Sequence, residues 1–394
     1  MTNVYVVNAL RTPVGKAPRG VFRHTLPDDL LAHTIRSLMS RHPSVNWEEI
    51  GDVVIGCAMP EAEQGMNVAR IASLLAGLPI GVPAMTINRF CSSGVQSIAT
   101  AAASIRQGDM SMALAGGVES MSMVPLGGNK YTANPAIFEN EHIAIAYGMG
   151  ITAENVAKQW NITREEQDEF AALSHQRAVA AQKNGFFDAE ILPVEIVDRH
   201  VDLNSSTLEC KKRLVSQDEG PRADTSYDVI ARLRPVFSAR GTVTAGNSSQ
   251  TSDGAGITLL ASEEAVKKYD LQPIGRLLGY AVAGVPPEIM GIGPIEAIPL
   301  ALKQAGISKD QLDWIELNEA FAAQALAVIK TLDLPRDKVN PQGGAIALGH
   351  PLGATGAIRT ATLLHGLRRT KGKYGMVTMC IGTGMGAAAI FEAL

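Results

Sequence analysis

A chain of 394 residues with 46% hydrophobic and 19% charged side chains is neither a disordered segment nor a stapled mini-domain, and it has room for two or three domains around a large core. A formal net charge of −4 gives no overall attraction to nucleic acid or an anionic membrane, so any phosphate-bearing ligand must meet a local basic patch. The four cysteines, Cys57, Cys91, Cys210 and Cys380, show no C-x-x-C spacing for zinc or a redox dithiol, so neither a metal site nor a disulfide is expected.

The chain opens on strand-like Val4 to Val7, turns at Arg11-Thr12-Pro13, and enters an amphipathic helix from Asp28 to Met39, with Leu30, Leu31, Ile35, Leu38 and Met39 on one face. No basic leader precedes the first strand and no stretch reaches the ~18 apolar residues of a membrane span, so a cytoplasmic protein is expected. Val53 to Cys57 reads as a second strand with Cys57 a core residue at its end, and Gln64 to Leu75 as a helix. Val82 to Ile87 reads as a short buried strand, and Val95 to Ile105 as a helix with Val95, Ile98, Ala102 and Ile105 on one face. Apolar Met112 to Ala115 then leads into Gly116-Gly117-Val118-Glu119-Ser120. This alternation argues for an α/β protein with a mainly parallel sheet covered on both faces.

From Met121 the character changes. Residues 129–140 lack periodicity, and Asn161 to Arg240 holds most of the polar sequence, including a helix start at Thr163-Arg164-Glu165-Glu166 that fits a capping box. The basic clusters Lys211-Lys212-Arg213 and Arg222 are either solvated surface or phosphate contacts. Strand-like Val243-Thr244 and the turn Gly246 to Ser249 return the chain to Ile257 to Leu260. The last third repeats the first: a helix at Ile295 to Ala305, a strand at Trp314 to Leu317, a loop from Asn340 to Gly353 opening a small-residue helix to about Arg369, and a strand at Met376 to Met379 ending in Cys380. Two similar sheet domains are expected, 1–120 with 247–270 and 271–394, with the polar excursion 121–246 inserted in the first.

Asn88-Arg89-Phe90-Cys91-Ser92-Ser93-Gly94 breaks between a strand and a helix, where free N–H groups and the helix dipole favour thiolate over thiol. Cys91 is thus either a nucleophile or a small buried hydrophobe. If the halves pack with pseudo-twofold symmetry, their loops meet at the carboxyl ends of the strands. Cys91 then converges with Asn318, His350 and Cys380, each of which follows a strand or precedes a helix.

The motifs N-x-x-C-x-S-G around Cys91, G-G-V-E-S-M-S from Gly116, N-S-S-Q-T-S-D-G-A from Asn247, N-E-A-F from Asn318, G-G-A-I-A-L-G-H-P-L-G-A-T-G from Gly343 and C-I-G-T-G-M-G from Cys380 resemble those of the thiolases, in the family's order over essentially the whole chain. The resemblance implies a duplicated five-layered α-β-α-β-α fold with an inserted loop domain, in homodimers or dimers of dimers. It implies that 3-ketoacyl-CoA is cleaved by coenzyme A, a substrate rather than a tightly bound cofactor, with Cys91 the acylated nucleophile. His350 would activate Cys91 and, with a water held by Asn318, form an oxyanion hole. Cys380 would be the general acid and base, and the Cys91 and Gly382 N–H groups a second oxyanion hole, with no side chain tolerated at Gly382 beside the acyl sulfur. Met149, Arg222, Phe237, Ser249, Ala320 and Phe321 match positions that contact coenzyme A or the acyl chain. Gly148 stands where short-chain biosynthetic thiolases commonly have a histidine, and C-I-G-T-G resembles the degradative branch, implying fatty-acid β-oxidation. The alternatives are an acetoacetyl-CoA-specific acetyltransferase and a non-catalytic CoA-binding relative; the latter is expected to lack at least one of the four central residues, and none is missing.

Overall fold

The computed structural model describes residues 3–130, 132–140, 147–202 and 207–394. Twelve strands follow in chain order: β1 (Val4–Arg11), β2 (Gly15–Lys16), β3 (Ile50–Gly56), β4 (Ala84–Ile87), β5 (Met112–Ser120), β6 (Val194–Asp202), β7 (Thr207–Val215), β8 (Ser252–Ser262), β9 (Gly275–Gly284), β10 (Leu312–Leu317), β11 (Tyr374–Ile381) and β12 (Met385–Ala393). Their path runs β4-β3-β5-β8-β1-β9-β12-β11-β10, with β2 on β8 and the β6–β7 hairpin apart. Strands β1 and β9 meet only where Tyr5 faces Arg276 and Val6 faces Gly275, so the path divides there into two sheets.

The sheets share one plan. In the first, β3 runs parallel to β4 and β5, while β5–β8 and β8–β1 are antiparallel. In the second, β10 runs parallel to β11, while β11–β12 and β12–β9 are antiparallel, and a parallel bridge from Ile315 to Val339 stands where the first sheet has β4. The sheets are therefore mixed, not mainly parallel as the strand–helix alternation suggests. A tight turn joins β11 to β12, with Thr383 and Gly384 at positive φ, and a connection that short serves only antiparallel neighbours.

Layering follows from which faces are apolar. Helices Pro27–Arg41 and Val68–Ala76 pack Leu31, Ile35 and Ala72 onto Ile55 and Leu114 of the first sheet. Helices Gly293–Ala305 and Ala322–Leu332 cover the second sheet in the same way, with Ile298 and Leu326 among Leu312, Ile315 and Met376. Between the sheets lie Ser93–Gln107 and Leu352–Thr370, whose Val95, Ile98, Ala361 and Leu364 share one core with Val54 and Val377. The five layers are thus α-β-α-β-α. The central helices meet at glycines: a Cβ on Gly94 would lie 2.7 Å from the Ala357 nitrogen, and one on Gly356 2.2 Å from that of Val95.

Helix Val68–Ala76 starts later than the sequence suggests. Gln64 ends a 3-10 turn, Met66 sits at positive φ, and the Asn67 side chain caps the helix by accepting from the Arg70 N–H. Val243-Thr244 forms only a bridge, from Thr244 to Pro235. Between β5 and β8 the chain leaves the sheet to form helices Met149–Gln159 and Arg164–Lys183 and the hairpin; Thr163 and Glu166 make the capping box. Positions 131, 141–146 and 203–206 of this stretch lie outside the described residues. Arg11 on β1 holds it down, bonding to Glu190 at 2.6 Å and in a fork to Asp218 at 2.7 and 3.0 Å, all buried. Among the described residues, no helix is long and apolar enough to cross a membrane, and no group of three or more His, Cys, Asp or Glu is placed to hold a metal ion.

Candidate active site

Cys91 lies in the one-turn 3-10 segment Phe90–Ser92 between β4 and the central helix Ser93–Gln107, with Phe90 at φ +43°. The Ser93 hydroxyl bonds to the Phe90 carbonyl at 2.7 Å and accepts from the Arg89 N–H at 2.8 Å, tightening this turn. His350 occupies the matching place before the other central helix. Its N–H donates to the Gln250 carbonyl at 3.2 Å and to the Ser252 hydroxyl at 3.1 Å, which fixes the loop against β8. Cys380 is the penultimate residue of β11, and Asn318 directly follows β10.

Cys91, His350 and Cys380 line one cavity of about 360 Å³. Its other walls include the expected contact residues Met149, Phe237, Ser249, Ala320 and Phe321, and the Phe237 and Phe321 rings meet edge-on at 6.0 Å. Gly150 is required there, because a Cβ would enter the Phe237 ring. A second lobe of about 240 Å³ shares Cys91, Gly148 and Met149 and adds Met59, Phe90, Tyr147 and Gly382. Asn318 stands behind His350, its Nδ2 3.2 Å from His350 Nε2, and its buried Oδ1 has no hydrogen-bond partner among the described residues. Arg222 is not among the lining residues; it is exposed and its guanidinium pairs with Asp224 at 3.1 Å.

The imidazole orientation follows from its neighbours. The Thr355 hydroxyl lies 3.0 Å from the Pro351 carbonyl and 2.6 Å from His350 Nδ1; with the hydroxyl donating to the carbonyl the ring proton is assigned to Nδ1, which leaves the Nε2 lone pair facing Asn318 and the cavity. Burial, helped by the charge of Arg359, lowers the His350 pKa to about 3, so the ring is neutral at rest.

The sulfurs are thiols at rest. Burial pushes Cys91 up to about 11 and outweighs the N–H groups of Gly382 and Cys91 that point at its sulfur, while the charge of Glu119 raises it further. The thiolate expected from the helix N-terminus alone is thus corrected: desolvation at a site almost closed to water exceeds the dipole's help. Cys380 is raised by burial and by its neighbour Cys91. At Gly382 a Cβ would meet nothing nearer than the Met149 sulfur at 3.9 Å, so any crowding there arises only against a bound acyl group.

Thr355, Glu119, Met121, Met290 and Leu352 complete the surroundings; sequence reasoning assigns them no role, although all but Met290 stand inside the motifs that begin at Gly116 and Gly343. Glu119 carries a signal, a lone carboxylate in a run of small apolar residues. The apolar wall residues carry none.

The family model described as Thiolase, N-terminal domain matches residues 4–264, and that described as Thiolase, C-terminal domain matches residues 271–393. The chain is 50% identical over 394 residues to a Bacillus subtilis protein named 3-ketoacyl-CoA thiolase, covering all of both. It is 46% identical to the mouse peroxisomal 3-ketoacyl-CoA thiolase A, over 99% of this chain and 91% of that one. A crystal structure titled Bacillus anthracis acetyl-CoA acetyltransferase superposes with a TM-score of 0.90 at 41% identity, covering 100% of this chain and 99% of that chain. With the duplicated sheets and the cysteine–histidine cavity, these matches lead to one statement: the chain belongs to the thiolase family of acyltransferases.

Proposed function

We propose that the protein cleaves 3-ketoacyl-CoA with coenzyme A to give acetyl-CoA and a shortened acyl-CoA, as a degradative thiolase of fatty-acid β-oxidation. The observation that carries this reading is the single cavity shared by two protonated thiols and an imidazole whose free nitrogen is held as a base. His350 Nε2 takes the Cys91 proton, and the thiolate attacks the 3-keto carbon. The oxyanion forms against the N–H groups of Cys91 and Gly382, which already point at the sulfur. When the C2–C3 bond breaks, the carbanion of acetyl-CoA takes the Cys380 proton, its enolate oxygen facing protonated His350 and a water on Asn318 Oδ1. Cys380 then removes the proton of the incoming coenzyme A, whose sulfur attacks the acyl-Cys91 thioester and expels the Cys91 thiolate, which takes its proton back from His350.

Coenzyme A is a substrate here, entering past Met149, Phe237, Ser249, Ala320 and Phe321, with Arg222 at the surface for its nucleotide phosphates. Segment 121–246 acts as the cover, beside domains 1–120 with 247–270 and 271–394. The exposed edge of β4 suits pairing with a second copy, giving a homodimer or a dimer of dimers. A cytoplasmic setting completes the reading.

Gly148 supports a broad chain length, since a Cβ there has nothing within 4 Å and the second lobe stays open beside Cys91. The likeness to a structure titled acetyl-CoA acetyltransferase favours a second reading, an enzyme confined to acetoacetyl-CoA. Thiolysis of 3-ketoacyl-CoA from C4 upward at saturating coenzyme A separates them. Turnover at C4 and beyond is expected, activity at C4 alone selects the second reading, and inactivity at every length removes both.

A further inference from the structure

The two halves can be laid on each other by register. Gly56 faces Gly117 in the first sheet and Leu317 faces Thr378 in the second. One residue past Gly56 and Leu317 lie Cys57 and Asn318; two past Gly117 and Thr378 lie Glu119 and Cys380; two before the central helices lie Cys91 and His350. The duplication therefore mirrors Cys91 on His350, Cys57 on Asn318 and Glu119 on Cys380. The chemistry above uses Cys91 from the first half with His350, Asn318 and Cys380 from the second, leaving Cys57 and Glu119 without a role.

Glu119 is fully buried, and among the described residues no cation pairs with it. Its Oε2 accepts from the N–H groups of Ala58 and Gly353, both at 2.8 Å. Its Oε1 accepts from the Met59 N–H at 3.2 Å and from Gln64 Nε2 at 2.7 Å, with the Cys57 thiol at 3.9 Å. Burial raises its pKa, but donors approach both oxygens and a proton on either would face an N–H, so the bonding favours the ionised form. Ala58 and Met59 belong to the wall beside Cys91, whereas Gly353 belongs to the first turn of the helix that follows His350, a helix with no side-chain cap of its own. The halves touch here: a Cβ on Gly353 would lie 2.7 Å from the Cys57 Cα and 2.8 Å from Glu119 Oε2.

We propose that Glu119 is a positioning residue: from the place that mirrors Cys380, its carboxylate ties the nucleophile's half to the helix behind His350 and so sets the alignment of nucleophile and base. The proposal rests on the thiolase reading for its consequence in catalysis, while its electrostatic part is independent of that reading. The titratable groups around Cys91 are Glu119, His350 and Cys380, with the charge of Arg359 reaching His350 and Cys57 lying against Glu119.

The test uses the full chain carrying Glu119→Gln and, separately, Glu119→Asp. Three readouts are taken: acetoacetyl-CoA thiolysis, the pH profile of Cys91 alkylation by iodoacetamide, and thermal unfolding. With Glu119→Gln, kcat falls on the order of 10²-fold with KM changed less than about threefold, because misplacing a base by about 1 Å costs that much. Removing the neighbouring anion also moves the alkylation profile to lower pH. Glu119→Asp keeps the charge but cannot reach both halves, so it leaves the alkylation profile in place while lowering kcat; this variant decides the matter if Glu119→Gln does not fold. A kcat within about threefold of wild type, or a fall in activity that matches only the loss of folded protein with an unmoved Glu119→Gln profile, overturns the proposal. Wild-type protein that cleaves no 3-ketoacyl-CoA at all refutes the thiolase reading instead, and the alkylation profiles still judge the electrostatic role of Glu119.

Discussion

In the proposed mechanism His350 is the base, and the hydroxyl five residues on in the same motif orients it: Thr355 accepts the Nδ1 proton and leaves the Nε2 lone pair towards Asn318 and the cavity. Thr355→Val is expected to lower kcat about 10- to 100-fold, the usual range for losing a group that orients a functional imidazole, with little change in the unfolding midpoint. Unchanged turnover would show that Asn318 alone holds the ring. At Gly148 the space is open, so histidine is sterically accepted and fills the second lobe. Gly148→His should retain C4 thiolysis and lower kcat/KM on C10 substrates about tenfold or more relative to C4; an unaltered ratio would place the acyl chain elsewhere. Cys91, Asn318, His350 and Cys380 are legible from sequence because each follows a strand or precedes a helix in a distinctive motif. Thr355 stands in the motif that carries His350, but its role is hidden, since a threonine inside a helix of small residues looks like any other and its partner is set by the loop that precedes the helix.

The central helices are the elements on which the site depends, for Cys91 and His350 stand two residues ahead of them. Their close approach at Gly94 and Gly356 leaves no room for a methyl group. Gly356→Ala is expected to cost about 1–3 kcal/mol by overpacking, read as a lower urea midpoint, and to reduce activity because the turns that carry Cys91 and His350 both shift. A neutral effect would mean that the helices are farther apart than described. Sequence periodicity finds both helices and their small-residue faces. It does not find β9 and β12, whose Ala- and Gly-rich strands carry too little alternation, and it cannot foresee mixed sheets, because strand direction depends on connections that only the tight turn at Thr383 and Gly384 settles.

Across the whole molecule, the buried Arg11–Asp218–Glu190 group binds the segment between β5 and β8 to β1. Arg11→Met leaves two carboxylates buried without their cation and should cost about 3–5 kcal/mol; an unchanged midpoint would contradict this link. Nothing in the sequence joins position 11 to positions 190 and 218, which is why the attachment of this segment is invisible before folding. Stability also has a legible pH dependence. His350 and His175 have folded pKa values lowered to about 3 and about 4, mainly by burial, so the unfolded chain binds their protons first and stability is lost as pH falls from 6.5 through those values. Glu316, raised to about 7 mainly by burial, acts oppositely: its contribution is full below 4.5 and is lost as pH rises towards 7. Denaturant titrations should therefore show stability rising more steeply with pH between 4.5 and 6.5 in Glu316→Gln than in wild type, because the opposing term is gone, and identical slopes would rule this out. The division of labour between the two sulfurs is tested most directly by mass spectrometry of protein quenched after mixing with acetyl-CoA. One acetyl group on Cys91 is expected in wild type, none in Cys91→Ser, and an acetylated but cleavage-deficient Cys380→Ser; acetylation that survives in Cys91→Ser would contradict the assignment of Cys91 as nucleophile.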